Sequence, residues 1–159
     1  IKRWLALIPA LIENIDLKNN KGRQVFIDGL DFIRSYADRL HHGKEEEILF
    51  QYFDDSEKIF QVIYEDHRVA RNHVKEMHTA INTGDKASLQ HHLRAYCQLL
   101  TEHIEKEDEI LFPWLDRRLS VVQVTELAAK FEKEDSEIDV EPEKYRAFVE
   151  RLESQYLKN

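Results

Sequence analysis

Two stretches of this 159-residue chain carry the same arrangement of imidazole and carboxylate: His41-x-x-x-Glu45-x-x-x-Leu49-Phe50 and His103-x-x-x-Glu107-x-x-x-Leu111-Phe112. On a helix, a residue and its i+4 neighbour sit one above the other. Each repeat therefore points an imidazole and a carboxylate in one direction, as metal sites in helix-bundle cores do. The neighbours at helical spacing give that direction. His41 and Glu45 share a stripe with Ile33, Ala37, Ile48 and Leu49, and His103 and Glu107 with Tyr96, Leu99, Leu100, Ile110 and Leu111. A third histidine, His67, is flanked by Phe60, Ile63, Tyr64, Ala70 and Val74. All five polar residues sit on core stripes.

A single His-x-x-x-Glu is ordinarily a solvated pair on a helix surface, and a lone core histidine is ordinarily a satisfied one. The energetics separate those readings from a metal site. Burying one uncompensated carboxylate costs roughly several kcal/mol, and two would consume much of the roughly 5–15 kcal/mol that keeps a domain folded. Glu45 and Glu107 need cationic company. No Lys or Arg is evident on both stripes, although Arg71, one turn beyond His67, could serve one of them. A metal cluster is the economical answer. Mixed imidazole and carboxylate ligands suit iron, manganese or zinc. Five ligands are too many for one zinc, and too few for two irons without water, oxo or further protein groups.

The elements that must position these residues follow from apolar spacing, which recurs at three and four residues almost throughout. A first helix is expected over about Ile1–Leu17, interrupted at Pro9 and ended by the turn chemistry of Asn19-Asn20-Lys21-Gly22. A second is expected from about Arg23 to Phe53, broken and recapped at Asp54-Asp55-Ser56. A third is expected to reach Ile81 and stop at Asn82-Thr83-Gly84-Asp85. The fourth spans about Lys86–Leu119, with a bend at Pro113. Ser120 to Gln123 reads as a capping box opening a fifth helix, and Glu141-Pro142 opens a sixth that ends near Leu157. Four long helices joined by short turns favour an up-down-up-down four-helix bundle, an all-α fold, with two additional C-terminal helices lying across it. The expected division is a bundle over residues 1–120 and a helical extension over 121–159 packed on the same domain.

Depth agrees. At about 1.5 Å per residue, His41 lies about 18 Å before the end of its helix and His67 about 17 Å after the start of the next. From the following turn, His67 and His103 sit at about 22 and 27 Å. Three helices thus bring ligands to one level. A partner at that level on the first helix would fall just before Ile1. Because the chain also starts helix-like without an initiator Met or cap, residues upstream are expected to complete the site.

Composition bounds the rest. With 23 Lys plus Arg against 31 Asp plus Glu, the net charge is −8; such a chain without a basic cluster repels phosphate backbones, so no nucleic-acid partner is expected. No apolar run approaches the roughly 20 residues that span a bilayer, so no membrane association is expected. The single cysteine, Cys97, rules out an internal disulfide framework and points to a reducing, cytoplasmic location.

Taken together, the segments from Tyr36 to Phe50, Glu65-Asp66-His67-Arg68-x-x-Arg71, and His103 to Pro113 resemble the second-, third- and fourth-helix motifs of the hemerythrin family, in its prokaryotic histidine/histidine/glutamate cation-binding branch. The stretch from Phe131 to Glu153 is similar to a C-terminal extension common there. The resemblance implies a four-helix bundle around a non-haem di-iron centre. His41, His67 and His103 would be terminal ligands, and Glu45 and Glu107 would bridge the irons. A first-helix histidine would complete the set. Oxygen-carrying hemerythrins have His-x-x-x-His on the third helix, whereas Arg71 stands four residues after His67 here. His73 lies about 120° around the helix and does not replace that ligand. His42 adjoins a ligand and is a candidate for an additional metal contact or a supporting role. His78 lies near a helix C-terminus, where positive charge is welcome. His91 and His92 are about 16 Å or more along the helix from His103, too far to share its metal. Tyr64, Tyr96 and Trp114 read as core aromatics and Cys97 as an inert buried thiol.

Three functions fit these residues. The first is a di-iron protein that binds or senses dioxygen or a related small oxidant, or handles iron. The second is an enzyme reducing peroxide or nitric oxide at a position left open by the absent third-helix histidine. The third is an interaction module in which the site holds zinc or nothing.

Overall fold

The computed structural model describes residues 1–54 and 56–157. The expected break at Asp54-Asp55-Ser56 therefore falls partly on a residue outside the described ones; on either side, the Ser56 N–H donates to Asp54 Oδ1 at 2.8 Å. The described residues form an all-α fold without strands. Its α-helical segments are α1 (Lys2–Glu13), α2 (Asn20–Phe32), α3 (Lys58–Thr83), α4 (Lys86–Lys106), α5 (Phe112–Asp116), α6 (Val121–Glu137) and α7 (Pro142–Tyr156). The second rod does not end with α2. It continues through wide π-helical turns over Ile33–His42 and Glu45–Leu49 to a 3₁₀ turn over Phe50–Tyr52. A π-helical turn over Glu107–Leu111 likewise joins α4 to α5.

Local chemistry explains the ends. Asn19, expected in a turn, is instead the N-cap of α2, its side chain accepting from the Lys21 N–H. Asparagine suits both roles because its short amide competes for backbone donors. The same chemistry shortens α1: Asn14 bonds back to the Ala10 carbonyl, and the chain leaves the helix four residues before Leu17. Asp85 caps α4. Gly84, at φ 71°, ends α3 in the left-handed conformation. Ser120 and Gln123 form the expected capping box, and Pro142 occupies the first turn of α7. Pro113 falls in the first turn of α5, directly after the π-helical turn over Glu107–Leu111.

Pro9 lies inside α1 and has no N–H for the Leu5 carbonyl one turn back. The Cys97 thiol, in α4, faces that same carbonyl at 3.6 Å. The lone cysteine is half-buried, and burial raises its pKa.

Helix α3 packs on α4, α1 on α4, α2 on α3, and α7 on α1. Two apolar clusters fill the interior. The larger contains Trp4, Leu7, Ile8, Leu30, Met77, Leu89 and Tyr96, together with Tyr145 and Phe148 of α7. The smaller, at the other end of the long rods, contains Leu49, Phe50, Phe60, Ile63, Leu111 and Leu115, with Leu127 and Phe131 of α6 against it. No residue of α6 is itself buried.

Helices α1 and α2 meet at Gly29. A methyl group there would come within 2.5 Å of the Trp4 ring, which is 2% exposed. Alanine ordinarily improves a helix by about 1 kcal/mol over glycine, but overpacking a fixed indole costs about 1–3 kcal/mol. Gly29→Ala is therefore expected to lower stability in urea denaturation.

Candidate metal centre

A polar layer lies between the two apolar clusters, and three of the rods contribute to it. His42 and Glu45 lie between Leu40 and Leu49, His67 between Ile63 and Ala70, and His103 and Glu107 between Leu100 and Leu111; all are buried. Both glutamates stand at the first residue of a π-helical turn, over Glu45–Leu49 and Glu107–Leu111. Such local widening of a helix is rare and often marks functional positions.

One ligand atom each from Glu45, His67, His103 and Glu107 lies within 4.8 Å of the others, and the same holds for His42, His67 and His103. His67 Nε2 is 3.2 Å from His103 Nε2 and 3.6 Å from Glu45 Oε2. The rings of His42 and His67 stack with centroids 3.8 Å apart. His41 stands at the edge. Its side chain is 37% exposed, with Nε2 3.9 Å from Glu45 Oε1, and it belongs to neither group. Of the two adjacent histidines, His42 is the buried one. The π-helical backbone over Ile33–His42 has more residues per turn than an α-helix, which rotates the register so that His42 rather than His41 faces the interior.

An outer ring of carboxylates, missed in the sequence reading, orients the imidazoles. Asp38 Oδ1 lies 3.3 Å from His42 Nδ1, Glu46 Oε1 2.6 Å from His67 Nδ1, and Asp66 Oδ2 3.4 Å from His103 Nδ1. Each ring can donate Nδ1–H outward and keep the Nε2 lone pair for the interior, the way metal-ligating histidines are usually held. Cations close the ring: Arg71 bonds both Asp38 and Glu46, and Lys106 bonds Asp66 at 2.7 Å. Arg71 thus serves the outer carboxylates and not Glu45 or Glu107. The signals were present in sequence. Asp38 precedes His42 by four residues, and Glu46 and Asp66 adjoin Glu45 and His67.

Electrostatics make the interior ill-suited to remaining without a cation. Burial, then the like charge of Glu107, pushes the Glu45 carboxyl far above the usual carboxylate range. Burial opposes ionisation of Glu107 too, yet the adjacent imidazoles of His103 and His41 hold its pKa below the ordinary value. Alone, the pair keeps one negative charge and one proton, as facing carboxylates do. Burial also depresses His42, to about 4, with Asp38 opposing, so its ring is neutral and a competent donor. Both oxygens of Glu45, Glu107 Oε1 and His42 Nε2 are buried without a hydrogen-bond partner. Glu107 Oε1 comes within 2.9 Å of His103 Nε2 but without hydrogen-bond alignment. Buried polar atoms are rarely left this way, and so many unpaired lone pairs around one point fit a cation.

The family model described as hemerythrin HHE cation binding domain matches residues 2–115. The chain belongs to this family. No significant match was found among curated proteins or solved structures. The hemerythrin match spans α1 to α5 and every residue of the polar layer; α6 and α7 lie beyond it. The chain is thus a hemerythrin-type cation-binding domain with a His/Glu cluster able to hold a metal. No helix among the described residues is long and apolar enough to cross a membrane. The other aromatics and histidines fall outside the layer. Tyr96 is buried core, Trp114 packs on Phe53 and Phe60, and His78 sits beside Asn82 near the end of α3.

Proposed function

We propose that this hemerythrin domain holds two iron ions and binds dioxygen or a related small oxidant. The observation that carries the reading is the meeting of Glu45, His67, His103 and Glu107 with unpartnered carboxylate oxygens between two apolar clusters. The proposed ligands are these four, with His42 beside His67 and His103 and His41 beside Glu45 as further candidates. Manganese or zinc would satisfy the same donors, but paired ferrous ions, held by these residues, would be able to supply two electrons to one small oxidant.

The protein's part is to bind, orient and exclude water. Glu45 and Glu107 come from different rods and face one another, a disposition suited to bridging two cations. Asp38, Glu46 and Asp66 hold the imidazole tautomers. Leu49, Phe50, Phe60 and Leu111 keep one side dry. A cavity of about 210 Å³ bordered by Asp38, His42, Arg71 and Tyr96 offers a small ligand a way in. A wider one, about 480 Å³, reaches His41 and Glu107.

Anaerobic loading with Fe(II) should give about two iron per chain, with visible absorption developing on exposure to air. Less than one iron per chain with His67 and Glu107 intact, or an unchanged spectrum in air, would count against the reading.

Arg71 favours a second, enzymatic reading. It stands where oxygen carriers of this family have a further histidine, and it turns away to bond Asp38 and Glu46. One ligand fewer leaves room for peroxide or nitric oxide to be reduced. Peroxide consumption by the iron-loaded protein, lost in Glu45→Ala, would support it, and turnover no faster than buffer would remove it.

A further inference from the structure

Away from the buried layer, three histidines gather where α3 packs on α4. His73 Nδ1 lies 3.0 Å from His92 Nδ1, and the rings of His91 and His92 lie 4.9 Å apart. His73 and His92 are half-buried, while His91 is exposed. We propose that His73 and His92 form a second cation site, a two-imidazole clamp across α3 and α4 for a late divalent transition metal of the nickel or copper type.

Four observations carry this. Two nitrogens 3.0 Å apart subtend about 90° at a metal ~2.1 Å from each, the angle between neighbouring ligands in tetragonal geometry and narrower than the tetrahedral angle zinc prefers. No carboxylate pairs with His73, His91 or His92 among the described residues, so the donor set is purely imidazole and disfavours calcium or magnesium. Burial and the neighbouring imidazoles lower the pKa of His73, which favours the neutral ring that binds metals. The clamp is also separate from the buried layer, since His73 is about 9 Å along the helix from His67 and His92 about 16 Å from His103.

Without metal, one imidazole donates its Nδ1–H to the other ring's Nδ1. For both nitrogens to bind a cation, the donor ring shifts its proton to Nε2, so no net charge is lost. Water completes the coordination on the exposed side, with His91 too poorly placed to contribute. The cation then fastens α3 to α4, the two helices that carry His67 and His103.

The test is a Ni(II) titration of untagged protein, followed by calorimetry and by NMR of the imidazole signals, in wild type and in His73→Asn, His92→Asn and His91→Asn. NMR separates this site from the buried layer whatever that layer holds. Paramagnetic broadening should appear at His73 and His92 at the lowest Ni(II) additions. Affinity for that Ni(II) should fall about tenfold or more in His73→Asn and His92→Asn, and less than about threefold in His91→Asn. All three variants should melt like wild type in chelator, because the rings are partly solvent-exposed. Broadening confined to His42, His67 and His103, or undiminished binding in both His73→Asn and His92→Asn, would overturn the proposal.

Discussion

Glu45→Gln is expected to change stability in opposite directions with and without metal. In chelator, the wild-type chain folds with the Glu45 carboxyl buried to 3% exposure, opposite Glu107. Its folded pKa lies well above that of the unfolded chain, so the folded state must retain a proton that the unfolded state releases. That cost begins as pH rises past the ordinary carboxylate range and increases until the folded pKa is reached. Glutamine keeps the shape and removes the proton requirement. Near pH 7 the metal-free variant should therefore be more stable by on the order of 2 kcal/mol, with the gain fading toward pH 4. With iron present the sign reverses. A cation bound only to the folded state contributes about 4 kcal/mol at a thousandfold excess over its dissociation constant, and an amide is a poor substitute for an anionic ligand. Paired thermal melts in chelator and in anaerobic Fe(II) check both signs. A shift of the same sign in the two melts would contradict the account.

Phe60→Ala should destabilise the domain by about 3–5 kcal/mol, the range for emptying an aromatic site in a packed core. Phe60 is 0% exposed, and its ring lies 4.8 Å from that of Phe50 and 5.7 Å from those of Phe53 and Trp114. These rings belong to the smaller apolar cluster, which closes one side of the polar layer. Truncating one leaves a void the remaining rings cannot fill, and opens a path for water toward Glu45 and Glu107. Phe60→Leu keeps most of the volume and should cost about 1.5 kcal/mol or less. Urea denaturation of the two variants measures both effects. Equal and small losses would mean that the aromatic cluster is not a rigid wall.

The paired motifs and the apolar spacing made the rods and the level of the polar layer readable from the chain alone. Glu45, His67, His103 and Glu107 share their helical stripes with apolar residues such as Leu49, Ile63, Ala70, Leu100 and Leu111, and that pattern is visible in one dimension. The division between His41 and His42 was not. It depends on the chain widening into π-helical turns over Ile33–His42, and no residue type announces an i→i+5 bond. The helix ends at Asn14 and Asn19 shifted for a related reason: a short amide serves as cap or turn equally well, and packing decides. The outer ring of Asp38, Glu46 and Asp66 was present in sequence but looked like ordinary surface charge. Pairs such as His67 with Glu46, and His73 with His92, join different rods and emerge only once those rods are packed.

The most direct measurement is iron-edge anomalous diffraction from crystals loaded anaerobically with Fe(II). The account predicts anomalous peaks ~2.0–2.2 Å from the carboxylate oxygens of Glu45 and Glu107 and from Nε2 of His67 and His103. An ordered, folded crystal in which iron density is absent from that layer, with Glu45 and Glu107 bonded to water or protein, would contradict it.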